Sequence, residues 1–310
     1  MRVLVTGGLG FIGRNLVQKL LKLGHSVIVL DDLSTGFLQN QIPGSQLLTS
    51  DISCEEFWRD LPPVDCVFHL AAMVSVPQSF LQPIRCQDVN VNGTIRLLSY
   101  CQRHGVNRLI MASSAAVYGD SPDQSEQSVP RPKSPYGLTK LAGEYLLQIA
   151  QEQFGLSWVA FRKFNVFGPG QSVASAYASV IPRFIVQALN NQPLEIHGDG
   201  EQTRDFIFVD QVTDYYIQAM HNSFVGVCNM GNGKTMSVND LVHILKKRFP
   251  QMPPPRFSPP RNGDIKNSQA VIHTLLSNFQ PVPFDFEDAL DQTIFYYRKE
   301  SGEKNPHWLQ

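Results

Sequence analysis

Short apolar runs alternate with stretches of helical periodicity through the first half of the chain. Val3–Val5, Ser26–Leu30, Gln46–Thr49, Cys66–Leu70 and Leu109–Ala112 read as strands. Between the first two, Phe11–Leu23 places Phe11, Ile12, Leu16, Val17, Leu20 and Leu21 on one helical face. Gly24 suits the left-handed turn that ends such a helix. Asn90–His104 is a further helical stretch. Strands this apolar are buried on both faces, as in a parallel sheet covered by helices. The alternation predicts an α/β fold: a doubly wound, Rossmann-like parallel sheet followed by a smaller C-terminal α/β domain. The expected boundaries are 1–166, with a segment near 206–236 returning to it, and 167–310.

Past Gly168-Pro169-Gly170 the pattern changes. Helical periodicity near 177–190, 209–222 and 237–249 is interspersed with short strand patterns near 194–197 and 206–208. Lys246-Lys247-Arg248 ends the last of these helices, where cations suit the dipole. Pro250–Pro260 carries six prolines, which excludes a helix interior and reads as a surface connector.

Composition narrows the function. The chain has 310 residues, 43% hydrophobic and 17% charged, with a formal charge of -1. Such a chain is not disordered, and its charge leaves no footprint for nucleic acid or a membrane surface. No apolar run approaches the roughly 20 residues of a membrane span. The opening Arg2-Val3-Leu4-Val5 leaves no room for a secretory leader, so a cytoplasmic location is expected. Five scattered cysteines without CxxC spacing fit neither disulfides nor zinc, and no metal is expected.

The chemistry begins at Gly7-x-x-Gly10-x-x-Gly13, between the first strand and the first helix. Glycines there permit a tight turn and close approach of a pyrophosphate to the helix N-terminus. Asp31-Asp32 ends the second strand, where a carboxylate accepts hydrogen bonds from adenosine-ribose hydroxyls and repels a 2′-phosphate. With no arginine expected nearby to pair such a phosphate, the cofactor is expected to be NAD rather than NADP. Tyr136 and Lys140 share one helical face, so the ammonium is expected to favour the phenolate and make Tyr136 a base. Ser114 follows the fifth strand, at the end that faces a ligand crevice.

Thr6-Gly7-Gly8-Leu9-Gly10-Phe11-Ile12-Gly13 resembles the opening of the extended short-chain dehydrogenase/reductase family, among its nucleotide-sugar epimerases and dehydratases. The resemblance covers nearly the whole chain. It implies cofactor contacts at Gly7, Gly10, Phe11, Ile12, Gly13, Asp31, Asp32, Ser34, Thr35 and Gly36. It adds Asp51 and Ile52 at the adenine, Leu70, Ala71 and Ala72 beside the phosphates and ribose, and Asn90 as a support. Ser114, Tyr136 and Lys140 take the catalytic positions, and Tyr136 and Lys140 also contact the cofactor, Lys140 at the nicotinamide ribose. Ala115-Ala116 stands where 4,6-dehydratases carry Asp-Glu, which favours redox without elimination.

On the substrate side, Arg162-x-Phe164-Asn165-Val166-Phe167-Gly168-Pro169 resembles the family's turn whose asparagine contacts the diphosphate, with Lys163 replacing tyrosine or leucine. Arg204 and Arg261 resemble the arginines that clamp the diphosphate, Asp264 the ribose contact. His197 either stacks on uracil or is a polar strand end. Ser268 either borders the hexose C2 substituent, where a small residue leaves room for an N-acetyl group, or caps a helix from Ala270. The resemblance implies a UDP-hexose 4-epimerase, homodimeric through helices near 90–104 and 134–154. The alternatives are a related dehydratase or decarboxylase, and a non-catalytic NAD-binding regulator.

Overall fold

The computed structural model describes residues 1–173, 179–260 and 266–300. The first strands are β1 (Arg2–Thr6), β2 (Ser26–Asp31), β3 (Gln46–Thr49), β4 (Cys66–His69), β5 (Arg108–Ser114) and β6 (Ser157–Lys163). Short strands follow: β7 (Asn165–Phe167), β8 (Glu195–His197), β9 (Thr203–Arg204) and β10 (Phe206–Phe208). The last are β11 (Gly226–Met230), β12 (Met236–Ser237), β13 (Arg256–Ser258) and β14 (Asn267–Ser268). Seven of them form one sheet in the order β11-β6-β5-β4-β1-β2-β3, every pairing parallel. The strand order reverses beside β1, which opens the crevice where doubly wound sheets bind ligands.

The chain divides into two compact units. The first comprises Met1–Lys163, Val212–Met230 and Val271–Val282, the second Phe164–Gln211, Gly231–Ala270 and Pro283–Gln310. The division is therefore not a cut at 166/167 with one return. A second return, Val271–Val282, brings helix His273–Asn278 to β11 and buries Phe279 against Phe161, ring centroids 5.5 Å apart. Sequence periodicity could not show this, because the segment is short and its partners are distant in sequence.

In the first unit, Val3, Leu4 and Val5 of β1 are fully buried, as a strand covered on both faces requires. One face of the sheet packs Leu4, Ile28, Leu97, Leu109 and Leu147 in a shared core. On the other, Tyr216 of helix Val209–His221 meets Phe68 and Phe161 at 6.2 and 5.5 Å. A charged layer is buried within this unit. Glu144 accepts from Arg162 Nε at 3.0 Å and Nη2 at 2.7 Å, and from Ser113 Oγ at 2.5 Å. The guanidinium lies 4.8 Å from the Tyr118 ring centroid, and the Tyr118 hydroxyl donates to Asn229 Oδ1 at 2.6 Å.

In the second unit, β10 pairs β7, β13 pairs β8, and β9 lies between β12 and β14. The proline tract is thus more than a connector: Arg256–Ser258 is a strand whose flanking prolines, Pro255 and Pro259, fall outside the ladder. Asp205 is buried and accepts backbone N–H bonds from Asn232 (2.8 Å), Gly233 (2.9 Å) and Ala270 (3.1 Å). Burial nevertheless pushes its carboxyl up to about 6. No helix of the described residues is long and apolar enough to cross a membrane.

Breaking the Glu144–Arg162 pair leaves a buried guanidinium without its counter-charge. Glu144→Leu is expected to lower stability by about 3–5 kcal/mol in urea denaturation, while Glu144→Leu combined with Arg162→Met recovers a large part of the loss. A double variant as unstable as the single one would show that packing, and not the stranded charge, sets the cost.

Candidate active site

The residues expected at the cofactor lie within the first unit, most of them at the carboxyl ends of β1, β2, β3 and β4. Gly7 has φ +69°, and a Cβ on it would lie 2.7 Å from Ala71 N. A Cβ on Gly13 would stand 2.1 Å from Gly7 O, so helix Phe11–Lys22 starts in direct contact with the turn. Gly10 caps that helix without a side-chain bond, leaving first-turn N–H groups for an anion. Phe11 and Ile12 are half-buried in the first turn. Thr6 Oγ1 accepts from Leu70 N and Ala71 N, both at 3.2 Å, and fixes the loop that continues into Ala72.

Asp31 is buried, its oxygens accepting from Leu9 N and Leu33 N at 2.9 Å, and burial pushes its carboxyl up. Gly36 packs against it, since a Cβ there would lie 2.8 Å from Asp31 Oδ1. Ser34 and Thr35 are exposed, and Ser34 donates to Asp32 Oδ1 through N (3.0 Å) and Oγ (2.6 Å). Asp51 Oδ1 accepts from Ser53 N and Oγ at 2.7 Å. The Ile52 side chain is buried in the core, where a Cβ on Gly93 would meet it at 2.7 Å. The expectation of no nearby arginine is also corrected. Arg85 Nη2 lies 2.5 Å from Asp51 Oδ2 and 3.8 Å from Asp32 Oδ2.

Asn90 lies in a π turn, Asp88–Asn92, that precedes helix Gly93–His104 and replaces the continuous helix expected from Asn90. Its amide is fully engaged. Oδ1 accepts from Met73 N at 2.8 Å, and Nδ2 donates to Thr139 Oγ1 at 2.9 Å and Met73 O at 3.1 Å. Asn90 therefore ties the loop after β4 to the helix that carries Lys140. His69 is held by Thr6 Oγ1 (2.9 Å) and Thr94 Oγ1 (3.0 Å), and burial lowers it to about 3.

Helix Pro135–Phe154 begins at Ser134, whose hydroxyl accepts from Gly137 N at 3.0 Å. Tyr136 N–H donates to the buried Ser79 Oγ at 3.2 Å, a positioning contact that sequence patterns did not show. Tyr136 and Lys140 are both buried, with the Lys140 Nζ 5.9 Å from the Tyr136 ring centroid. Burial raises the phenol, outweighing the Ser114 hydroxyl bond that lowers it, so the expected lowering is absent here. The same burial lowers Lys140 to about 8. Lys163 closes β6 as the register partner of Ser114 and is lowered to about 7, by burial and then by Lys140.

In the second unit, Asn165, His197 and Arg204 line one cavity together with Gln202 and Phe206. Asn165 Nδ2 donates to Asp205 O at 3.0 Å, and His197 Nε2 stands 4.0 Å from Glu195 Oε1. Ser268 is buried in β14, with Arg204 as its register partner. It does not cap the next helix, which starts at His273 with Ile272 at its N-cap. Arg261 and Asp264 lie outside the described residues. Among the described residues, no group of histidine, cysteine, aspartate and glutamate could hold a metal.

Residues 3–231 match the NAD dependent epimerase/dehydratase family. The chain belongs to that family. A UDP-glucose 4-epimerase of Mycolicibacterium smegmatis is 35% identical over 285 residues, 87% of this chain and 89% of its own. A UDP-N-acetylglucosamine 4-epimerase of Methanobrevibacter ruminantium, solved with UDP-N-acetylmuramic acid, superposes with TM-score 0.93 at 36% identity, covering 96% of this chain and 98% of that one. A UDP-glucuronic acid decarboxylase of Xenopus tropicalis is 31% identical over 314 residues, 96% of this chain and 72% of its own.

The family's cofactor is NAD, and the glycine turn fits it: the helix end, with no side-chain cap, would receive the pyrophosphate, and the carboxylates of Asp31 and Asp32 would meet the ribose hydroxyls. Arg85, Ser79 and the Glu144–Arg162 layer were not singled out in sequence, because each is defined by partners far away along the chain.

The two lysines give a pH dependence of definite sign. Folding lowers their pKa to about 7 and about 8, below the roughly 10.4 of an unfolded lysine. Between those values the unfolded chain holds more protons, so stability rises with pH. The urea midpoint of nucleotide-free protein is expected to increase from pH 7 to 8.5, and Lys140→Met with Lys163→Met to flatten the rise. An unchanged slope in the double variant would contradict the assignment.

Proposed function

We propose that this chain is a UDP-hexose 4-epimerase that retains NAD through turnover. The observation that carries the reading is the Ser114–Tyr136–Lys140 constellation beside the glycine turn, followed by Ala115 and Ala116, which transfer no proton. Tyr136 takes the proton of the C4 hydroxyl and returns it to the same oxygen once the flat 4-keto sugar has turned its other face to the cofactor. Ser114 hydrogen-bonds the same sugar oxygen. Lys140 offsets the phenolate as it forms, a role that its burial strengthens. Bound NAD supplies the acceptor and donor of hydride at C4.

Asn165, Arg204 and Arg261 hold the diphosphate, Asp264 the nucleoside ribose, and His197 the base. The cavity shared by Asn165, His197 and Arg204 supports this division of labour. A homodimer is part of the proposal. Ile95 on helix Gly93–His104 and Leu138, Tyr145 and Ile149 on helix Pro135–Phe154 are exposed apolar side chains suited to pairing.

Incubation with UDP-hexoses separates the alternatives by product mass. An epimerase gives an isobaric product, a dehydratase one lighter by water, a decarboxylase one lighter by carbon dioxide, and a regulator none. Tyr136→Phe is expected to fold and bind NAD yet lose about 10²-fold or more in kcat. Retention of a tenth of the wild-type rate would remove Tyr136 as the base.

Ser268 supports breadth of substrate, because a small buried residue beside Arg204 leaves room for an acetamido group. UDP-N-acetylglucosamine is therefore expected to be a substrate alongside UDP-glucose. Ser268→Tyr is expected to depress kcat/KM for the acetamido sugar far more than for the plain hexose, since overfilling a packed site costs about 1–3 kcal/mol. Equal losses on both sugars would remove the argument.

A further inference from the structure

Arg85 sits where an NAD-selective site has no evident use for a cation. It lies on the short helix Pro83–Gln87, after β4, and reaches the ends of β2 and β3. Its Nη2 is 2.5 Å from Asp51 Oδ2 and 3.8 Å from Asp32 Oδ2, and its Nη1 is 3.4 Å from Ser53 Oγ. The side chains of Arg85, Asp32 and Asp51 are 43%, 30% and 28% exposed, so the trio remains open to a ligand. Asp51 is well anchored without the arginine, because Ser53 N and Oγ both donate to its other oxygen.

The acidic residue after β2 marks the adenosine 2′ position in sheets of this kind. Charges of opposite sign therefore meet that position here, the carboxylates of Asp31 and Asp32 and the guanidinium of Arg85. Asp32 repels a 2′-phosphate, while a guanidinium matches phosphate oxygens bidentately. As arranged, the guanidinium is shared between two carboxylates, and the trio carries a net negative charge.

We propose that Arg85 is a specificity-determining residue, a phosphate-binding guanidinium held in check by Asp32 and Asp51. On this view, discrimination against a 2′-phosphorylated dinucleotide comes from occupation of a cation, not from its absence. Removing the Asp32 charge leaves Arg85 shared with Asp51 alone and tips the site toward a 2′-phosphate. The inference rests on the cofactor site described above.

The test is equilibrium binding of NAD and NADP to nucleotide-free protein by calorimetry, which needs no turnover. Wild type is expected to bind NAD and to bind NADP far more weakly. Asp32→Asn is expected to tighten NADP at least tenfold, because a like charge is removed and a charge-assisted bond to the phosphate becomes possible. Asp32→Asn with Arg85→Ala is expected to lose that gain, while Asp32→Asn with Arg85→Lys keeps part of it. An equal gain with and without Arg85 would overturn the proposal, as would no gain in a variant that still binds NAD. Failure of wild type to bind either dinucleotide would instead strike the cofactor site itself.

Discussion

A phenol and an ammonium are buried together at the carboxyl end of the sheet, and no carboxylate pairs either of them among the described residues. Burial works against charge on both, raising Tyr136 and lowering Lys140. Each charge is costly alone, and an ammonium one helical turn from the phenol is suited to offset a phenolate as it forms. The surrounding contacts serve to hold the two in that relation. Ser134 and Ser79 fix the first turn of the helix, and Asn90 grips Thr139, the residue before Lys140. One turn beyond Lys140, Glu144 is committed to Arg162, which keeps the nearest acid on that helix from neutralising the lysine through a direct bond.

The glycine turn imposes the second constraint, and it is steric. Gly13 and Gly7 pack backbone on backbone, with no space for a Cβ, and Gly7 also abuts the loop at Ala71. The end of β1, the end of β4 and the first helical turn are thereby brought within one ligand's reach. Thr6, at the end of β1, is joined through its hydroxyl to the end of β4 at His69, Leu70 and Ala71. A dinucleotide laid across this crevice would place its pyrophosphate at the helix end and its adenosine toward Asp31 and Asp32.

The legible features were those encoded locally. The glycine spacing, the tyrosine and lysine four residues apart, and the apolar strand runs each need only a few neighbouring residues to be read. The parallel sheet followed from the apolar runs, and family membership is shown by the match over residues 3–231. Features set by distant partners escaped. Arg85 is a surface arginine in sequence and becomes a site residue only when β2 and β3 end beside it. Lys163 stood out as a departure from the family's pattern, but its proximity to Lys140 required the fold. Arg256–Ser258 lay hidden among prolines, because its strand character comes from pairing with Glu195–His197. The phenol's pKa departs from the expected direction for a physical reason: spacing reports a neighbouring charge but not the desolvation that raises the pKa.

The central claim is that oxidation and reduction occur at one sugar carbon, with only the hydroxyl proton exchanged through Tyr136. UDP-glucose carrying deuterium at C4, incubated in ordinary water and followed by proton NMR and mass spectrometry, tests it directly. The account requires an isobaric 4-epimer that keeps its deuterium at C4. Loss of that deuterium to solvent, or a product lighter by water, would contradict it.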